Sequence, residues 1–175
     1  LDSSDQLAAV KRVVKAMGLD EERYVPKQVT WFIAGRKEEG QRPRDVEVRD
    51  EHTRTLVKVY EAYEAQCERE GVVDFAELML RSYELMRDND PLREHYQRRF
   101  QHLLVDEFQD TNRLQYAWLK MFAPPGRGQG VFAVGDDDQS IYAFRGARVG
   151  NMADFEREYR VAHVVKLEQN YRSHA

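Results

Sequence analysis

Leu7, Val10, Val14 and Met17 lie three or four residues apart, the spacing of one face of an α-helix. Ser3 and Ser4 precede them as candidate caps and Gly18 follows as a stop, so a first helix is expected over about residues 3–17. Pro26 suits the first turn of a second helix, with Val29, Phe32 and Ile33 as its apolar stripe and Gly40 and Pro43 as breakers. A third helix from about His52 gathers Leu56, Val59, Tyr60, Tyr63 and Cys67 on one face and stops at Gly71. Asp74 is the expected cap of a fourth, whose apolar positions are Phe75, Leu78, Met79 and Leu85.

After residue 100 the period changes. Three short apolar runs, Leu103-Leu104-Val105, Gly130 to Val134 and Ala162 to Leu167, each end in polar or acidic residues. Helical stretches over Leu114 to Phe122 and Met152 to Tyr159 lie between them. Short apolar strands alternating with helices indicate a parallel sheet, and continuous apolar runs suit strands covered on both faces. The expected fold class is therefore α/β: a helical region over residues 1–72, then a partial parallel sheet with helices over residues 73–175.

Composition narrows the setting. The 175 residues carry a net charge of -4, so bulk positive charge offers no footing on nucleic acid; a local groove remains open. No apolar run approaches the roughly 20 residues that cross a bilayer. The opening Leu1-Asp2-Ser3-Ser4-Asp5 has neither a basic nor an apolar stretch, and no signal peptide is expected. The single cysteine, Cys67, rules out an internal disulfide framework and sits in a helical stripe, where packing is its simplest role. These points fit a cytoplasmic protein without a membrane partner.

Candidate chemistry gathers where the apolar runs end. Leu103-Leu104-Val105 leads into Asp106-Glu107-Phe108-Gln109-Asp110, placing two carboxylates at the carboxyl edge of a parallel sheet, where ligands bind in such folds. The first acid can hold magnesium and the second can orient and deprotonate a water; a helix cap is the simpler alternative. The second run leads into Gly135-Asp136-Asp137-Asp138-Gln139, and then Tyr142, Phe144 and Arg145. Gln139 has the donor and acceptor needed to sense a terminal phosphate, and aromatics beside an arginine can stack bases; a capped loop with core aromatics is the alternative. The third run leads into Tyr171 and Arg172, a pair that could stack on a base and reach a phosphoryl group or form only a surface ion pair. At one sheet edge these parts would suffice for phosphoryl transfer to water.

The segments Asp106 to Asp110, Gly135 to Tyr142 and Asn170 to Ser173 resemble motifs II, III and IV of superfamily 1A DNA helicases of the UvrD/Rep/PcrA type. The likeness extends through Val73 to Leu78 and the helical opening. It implies ATP and magnesium as cofactors, with Asp106 and Glu107 at the metal and Glu107 as catalytic base. It implies Gln139 at the terminal phosphate, Tyr171 near the adenine and Arg172 as an arginine finger. Tyr142, Phe144 and Arg145 would face single-stranded DNA, and junctions of single- and double-stranded DNA would be the substrate, with 3'-5' movement in repair or replication. Residues 1–72 would correspond to the 1B subdomain and residues 73–175 to part of a RecA-like 1A subdomain. Two features depart from the family. Phe144 stands where Trp is usual, and no Gly-x-x-x-x-Gly-Lys-Ser/Thr loop occurs. The chain is therefore expected to be an internal section of a motor, inactive alone. A helicase-nuclease of the AddA or RecB type and a non-catalytic DNA-binding module are the alternatives.

Overall fold

The structure, a computed structural model, describes residues 1–136, 147 and 150–167. Its described part is mixed α/β and mostly helical. Five helices come first: α1 (Ser3–Ala16), α2 (Pro26–Glu38), α3 (Glu51–Glu70), α4 (Phe75–Asp88) and α5 (Asp90–Arg99). Strand β1 (His102–Val105), helix α6 (Arg113–Phe122), strand β2 (Gly130–Ala133) and helix α7 (Gly150–Glu158) follow.

Local chemistry explains most of the boundaries. The α1 cap is Asp2, whose carboxylate accepts the Asp5 amide at 2.8 Å and the Ser4 hydroxyl at 2.7 Å; the expected caps Ser3 and Ser4 lie inside the helix. A carboxylate at this position also meets the positive end of the helix dipole. Pro26 starts α2 as expected. Asp50 caps α3, and Gly71 closes it in the left-handed conformation at φ 65°. Helix α5 has no counterpart in the apolar pattern. Asn89 caps it by accepting the Leu92 amide at 3.0 Å, and Pro91, which has no amide hydrogen, fits its first turn while barring a continuous ladder from α4.

The stripes of α1, α2 and α3 meet in one core of Val10, Val14, Val29, Ile33, Val59, Tyr60, Tyr63 and Cys67. Cys67 is a buried free thiol, and burial raises its pKa, in line with a packing role. Helix α4 departs from its reading. Phe75, Leu78 and Leu85 face solvent, while Glu77, Leu80 and Met86 are buried. The reason is a charge cluster that draws the α4 N-terminus inward. Lys37 of α2, only 2% exposed, places Nζ 2.9 Å from Asp74 and 2.8 Å from Glu77. Tyr63 donates its hydroxyl to Asp74 at 2.8 Å, and Arg42 bridges Glu77, Glu64 of α3 and Glu84 of α4. Burial works against the Glu77 anion, but its bonds with Arg42, Lys37 and Arg81 prevail and hold its pKa at about 2. Helix α4 in turn lies against α6, where the Trp118 indole donates to Ser82 at 2.9 Å.

Strands β1 and β2 are parallel, with His102 opposite Gly130 and Val105 opposite Ala133. Leu103, Val105, Val131 and Ala133 pack with Phe108, Tyr116, Leu119 and Phe155 into a second core. The expectation of strands covered on both faces does not hold among the described residues. Leu104 is 80% exposed and Phe132 61%, because α6 and α7 both pack on the opposite face. The third apolar run also differs. Ala162 to Leu167 form no strand, and Val164, Val165 and Leu167 are exposed, since hydrophobicity alone does not supply a pairing partner. No helix among the described residues is long and apolar enough to cross a membrane.

Candidate active site

Asp106 and Glu107 follow the last residue of β1 directly, at the carboxyl end of the parallel pair, and both side chains are exposed. The chain turns sharply here. Glu107 adopts φ 50°, a left-handed conformation that a non-glycine residue takes only when its surroundings hold it. Those surroundings are visible. The Phe108 amide donates to the Val134 carbonyl at 2.9 Å, the Val134 amide donates to Val105 at 2.8 Å, and Phe108 is fully buried in the second core. A 3-10 turn over Phe108–Asp110 follows, and Asn112 caps α6 in a reciprocal box with Gln115. From the far side, the buried Asn151 of α7 donates to the Thr111 and Asn112 carbonyls at 3.0 and 3.1 Å. The two acids thus project from a loop fixed by both strands and by two helices.

Asp106 uses Oδ1 to accept the Glu107 amide at 2.9 Å. Glu107 Oε2 accepts the side-chain amide of Gln109 at 2.6 Å. Gln109 is 5% exposed, and its Oε1 accepts the Asp136 amide, 2.9 Å away on the loop after β2. The structure therefore links the first two predicted acid segments, with Gln109 tying the Glu107 carboxylate to the Asp136 backbone. The other predicted residues, Asp137, Asp138, Gln139, Tyr142, Phe144, Arg145, Tyr171 and Arg172, lie outside the described residues.

The acids suit magnesium of the kind that nucleotide enzymes use. Among the described residues no group of three histidine, cysteine or acidic side chains is placed to hold a metal ion. Magnesium bound through one or two carboxylates, with phosphate oxygens and water completing its shell, needs no such cage, and an exposed carboxylate at a sheet edge fits that mode.

Sequence reasoning passed over Gln109 and Asn151. Gln109 stood in the segment already singled out, but its two-ended role depends on the β1–β2 pairing. Asn151 carries no local signal at all.

Comparison with known proteins places the chain in a family. Residues 1–160 match the UvrD/REP helicase N-terminal domain. The chain is 49% identical to DNA helicase II of Haemophilus influenzae over 100% of its own length and 24% of the relative's. It is also 49% identical to DNA helicase II of Escherichia coli, over 99% of the chain and 24% of the relative. An ATP-dependent DNA helicase PcrA from Leuconostoc citreum is 38% identical over 99% of the chain and 23% of the relative. The chain thus spans about a quarter of the length of these curated relatives. With the match running from its first residue to residue 160, the chain belongs to the UvrD/REP helicase N-terminal domain family.

Proposed function

We propose that this chain supplies the carboxylate edge of the ATP-hydrolysing centre in a longer DNA helicase or translocase. The observation that carries the reading is the Asp106-Glu107 pair, presented at the carboxyl end of β1 and held from behind by Gln109 and the strand-pair hydrogen bonds. Asp106 would hold magnesium, with Glu107 beside it at the metal. The ion, when bound, would neutralise charge on the phosphates. Glu107 orients a water and takes its proton as hydrolysis proceeds.

The rest of the reading follows from the family resemblance. Gln139 contacts the terminal phosphate, Tyr171 stacks near the adenine and Arg172 meets the transferring phosphoryl group. Tyr142, Phe144 and Arg145 lie along single-stranded DNA. Residues 1–72 act as a 1B-like helical unit near duplex DNA, and residues 73–175 as part of a RecA-like 1A unit. The longer protein moves 3'-5' on single strands and junctions, in the cytoplasm, in repair or replication. Its relatives' names, DNA helicase II and PcrA, support the helicase reading.

The test is Glu107→Gln in the longer protein. It removes the base and keeps the shape, so DNA-stimulated ATP hydrolysis is expected to fall about 10²-fold or more with ATP binding retained. ATPase activity within about threefold of wild type would remove Glu107 from this role.

A further inference from the structure

Gln109 is a buried amide whose two ends reach two different loops. On the loop after β1, it meets the carboxylate of Glu107 at 2.6 Å. On the loop after β2, it meets the backbone amide of Asp136 at 2.9 Å. A carboxylate can only accept and a backbone N–H can only donate, so the amide has one workable orientation: Nε2 toward Glu107 and Oε1 toward Asp136. We propose that Gln109 is a positioning residue for hydrolysis, a bridge that aims the Glu107 carboxylate and locks it to the loop after β2. This rests on the reading of Glu107 as the base.

Three features support a dedicated bridge. First, Glu107 is exposed and could satisfy its carboxylate with water, so burial alone does not require a donor there. A fixed donor narrows the orientations of a side chain that would otherwise sweep through several rotamers, and holding a base in its productive geometry is a large part of what a site contributes. Second, the loop after β2 makes room for the bridge. A Cβ at Gly135 would sit 2.7 Å from Gln109 Oε1 and 3.2 Å from the Gln109 amide nitrogen, inside contact distance. Gly135 thus leaves its side-chain space to the glutamine. Third, Gln109 itself cannot drift. It lies in the 3-10 turn whose next residues are tied by Thr111 Oγ1 to Phe108 O at 2.7 Å and by Asn151 to Thr111 and Asn112. The consequence is mechanical: a displacement of the β2 loop at Asp136 is passed through one rigid amide to the base.

The experiment uses the longer protein with Gln109→Met and Gln109→Glu, each alone and combined with Glu107→Gln. Methionine keeps the length and removes the hydrogen bonds to Glu107 and to the Asp136 amide. Glutamate keeps an acceptor for the Asp136 amide and sets a second carboxylate against Glu107 in place of the donor. Three quantities are measured: affinity for a fluorescent ATP analogue, single-turnover hydrolysis on single-stranded DNA, and hydrogen exchange of the Asp136 amide in nucleotide-free protein. Affinity is expected to stay within about twofold, while single-turnover hydrolysis falls about tenfold or more in both variants. In the Glu107→Gln background neither variant should lower the residual rate further, because both act through the same carboxylate. The Asp136 amide should exchange about tenfold faster or more in Gln109→Met and stay protected in Gln109→Glu.

Hydrolysis near wild type in both variants, or losses that add fully to that of Glu107→Gln, would overturn the positioning role. Unchanged Asp136 exchange in Gln109→Met would overturn the bridge itself. If Gln109→Met melts early, Gln109→Glu alone decides the Glu107 end. A wild-type protein with no ATPase would sink the proposed function instead, and the exchange measurement would still decide the bridge.

Discussion

Lys37 is an ammonium group with almost no water around it. Its compensation is complete: Asp74 and Glu77 within 2.9 Å, and the rings of Tyr60 and Tyr63 at 5.9 and 5.3 Å. Such a pair adds little against a well-packed apolar replacement, but removing one member strands the others. Lys37→Met is therefore expected to destabilise the protein by about 3–5 kcal/mol, read as a lower midpoint in urea. An unchanged midpoint would mean that Asp74 and Glu77 reach water. The direction of the acid dependence follows from Glu77. Its folded pKa of about 2 lies below the ordinary 4.5, so its contribution is present above about pH 4.5 and is lost as the pH falls toward 2. Nothing in the helical periodicity marks Lys37 as buried, because lysine on a helix normally reaches solvent.

At the level of helices and strands, spacing located α1, α2, α3, α4, α6 and α7 and both strands, because each has a stripe or run bounded by a capping residue, proline or glycine. It failed on α4's orientation, where Phe75 and Leu78 suggested one face and the Lys37–Asp74–Glu77 contacts selected another. It missed α5 because that helix, with only Leu92 and Tyr96 as large apolar residues, has no stripe to follow. The end of α3 offers a clean test. Gly71 sits at φ 65°, and a Cβ there would meet nothing within 4 Å, so any cost of substitution is purely conformational. Gly71→Ala is expected to cost about 1–2 kcal/mol and Gly71→Asn less, measured by chemical unfolding. Equal stability of all three would show that the C-terminus of α3 relaxes without penalty.

Among the described residues, the sheet is open on one side. Leu104, Phe132 and Val134 form an uncovered apolar row beside the acids, and the sequence has no phosphate-cradling loop. The 175-residue chain by itself is therefore expected to lack DNA-stimulated ATPase and to bind a hydrophobic dye at this row. Malachite-green phosphate release with and without single-stranded DNA checks the first point, and measurable turnover would show that the chain holds a complete site. The mixed α/β class, the helical opening and the position of the Asp106-Glu107 pair after a strand could be read from residue order, because propensity, capping and the reach of a carboxylate are local properties. The union of that pair with Asp136 through Gln109, the inward turn of Glu77 and the uncovered face of the sheet could not. Each depends on which distant segments pair or pack, and those distances exist only once β1 lies beside β2 and α4 rests on α2 and α6.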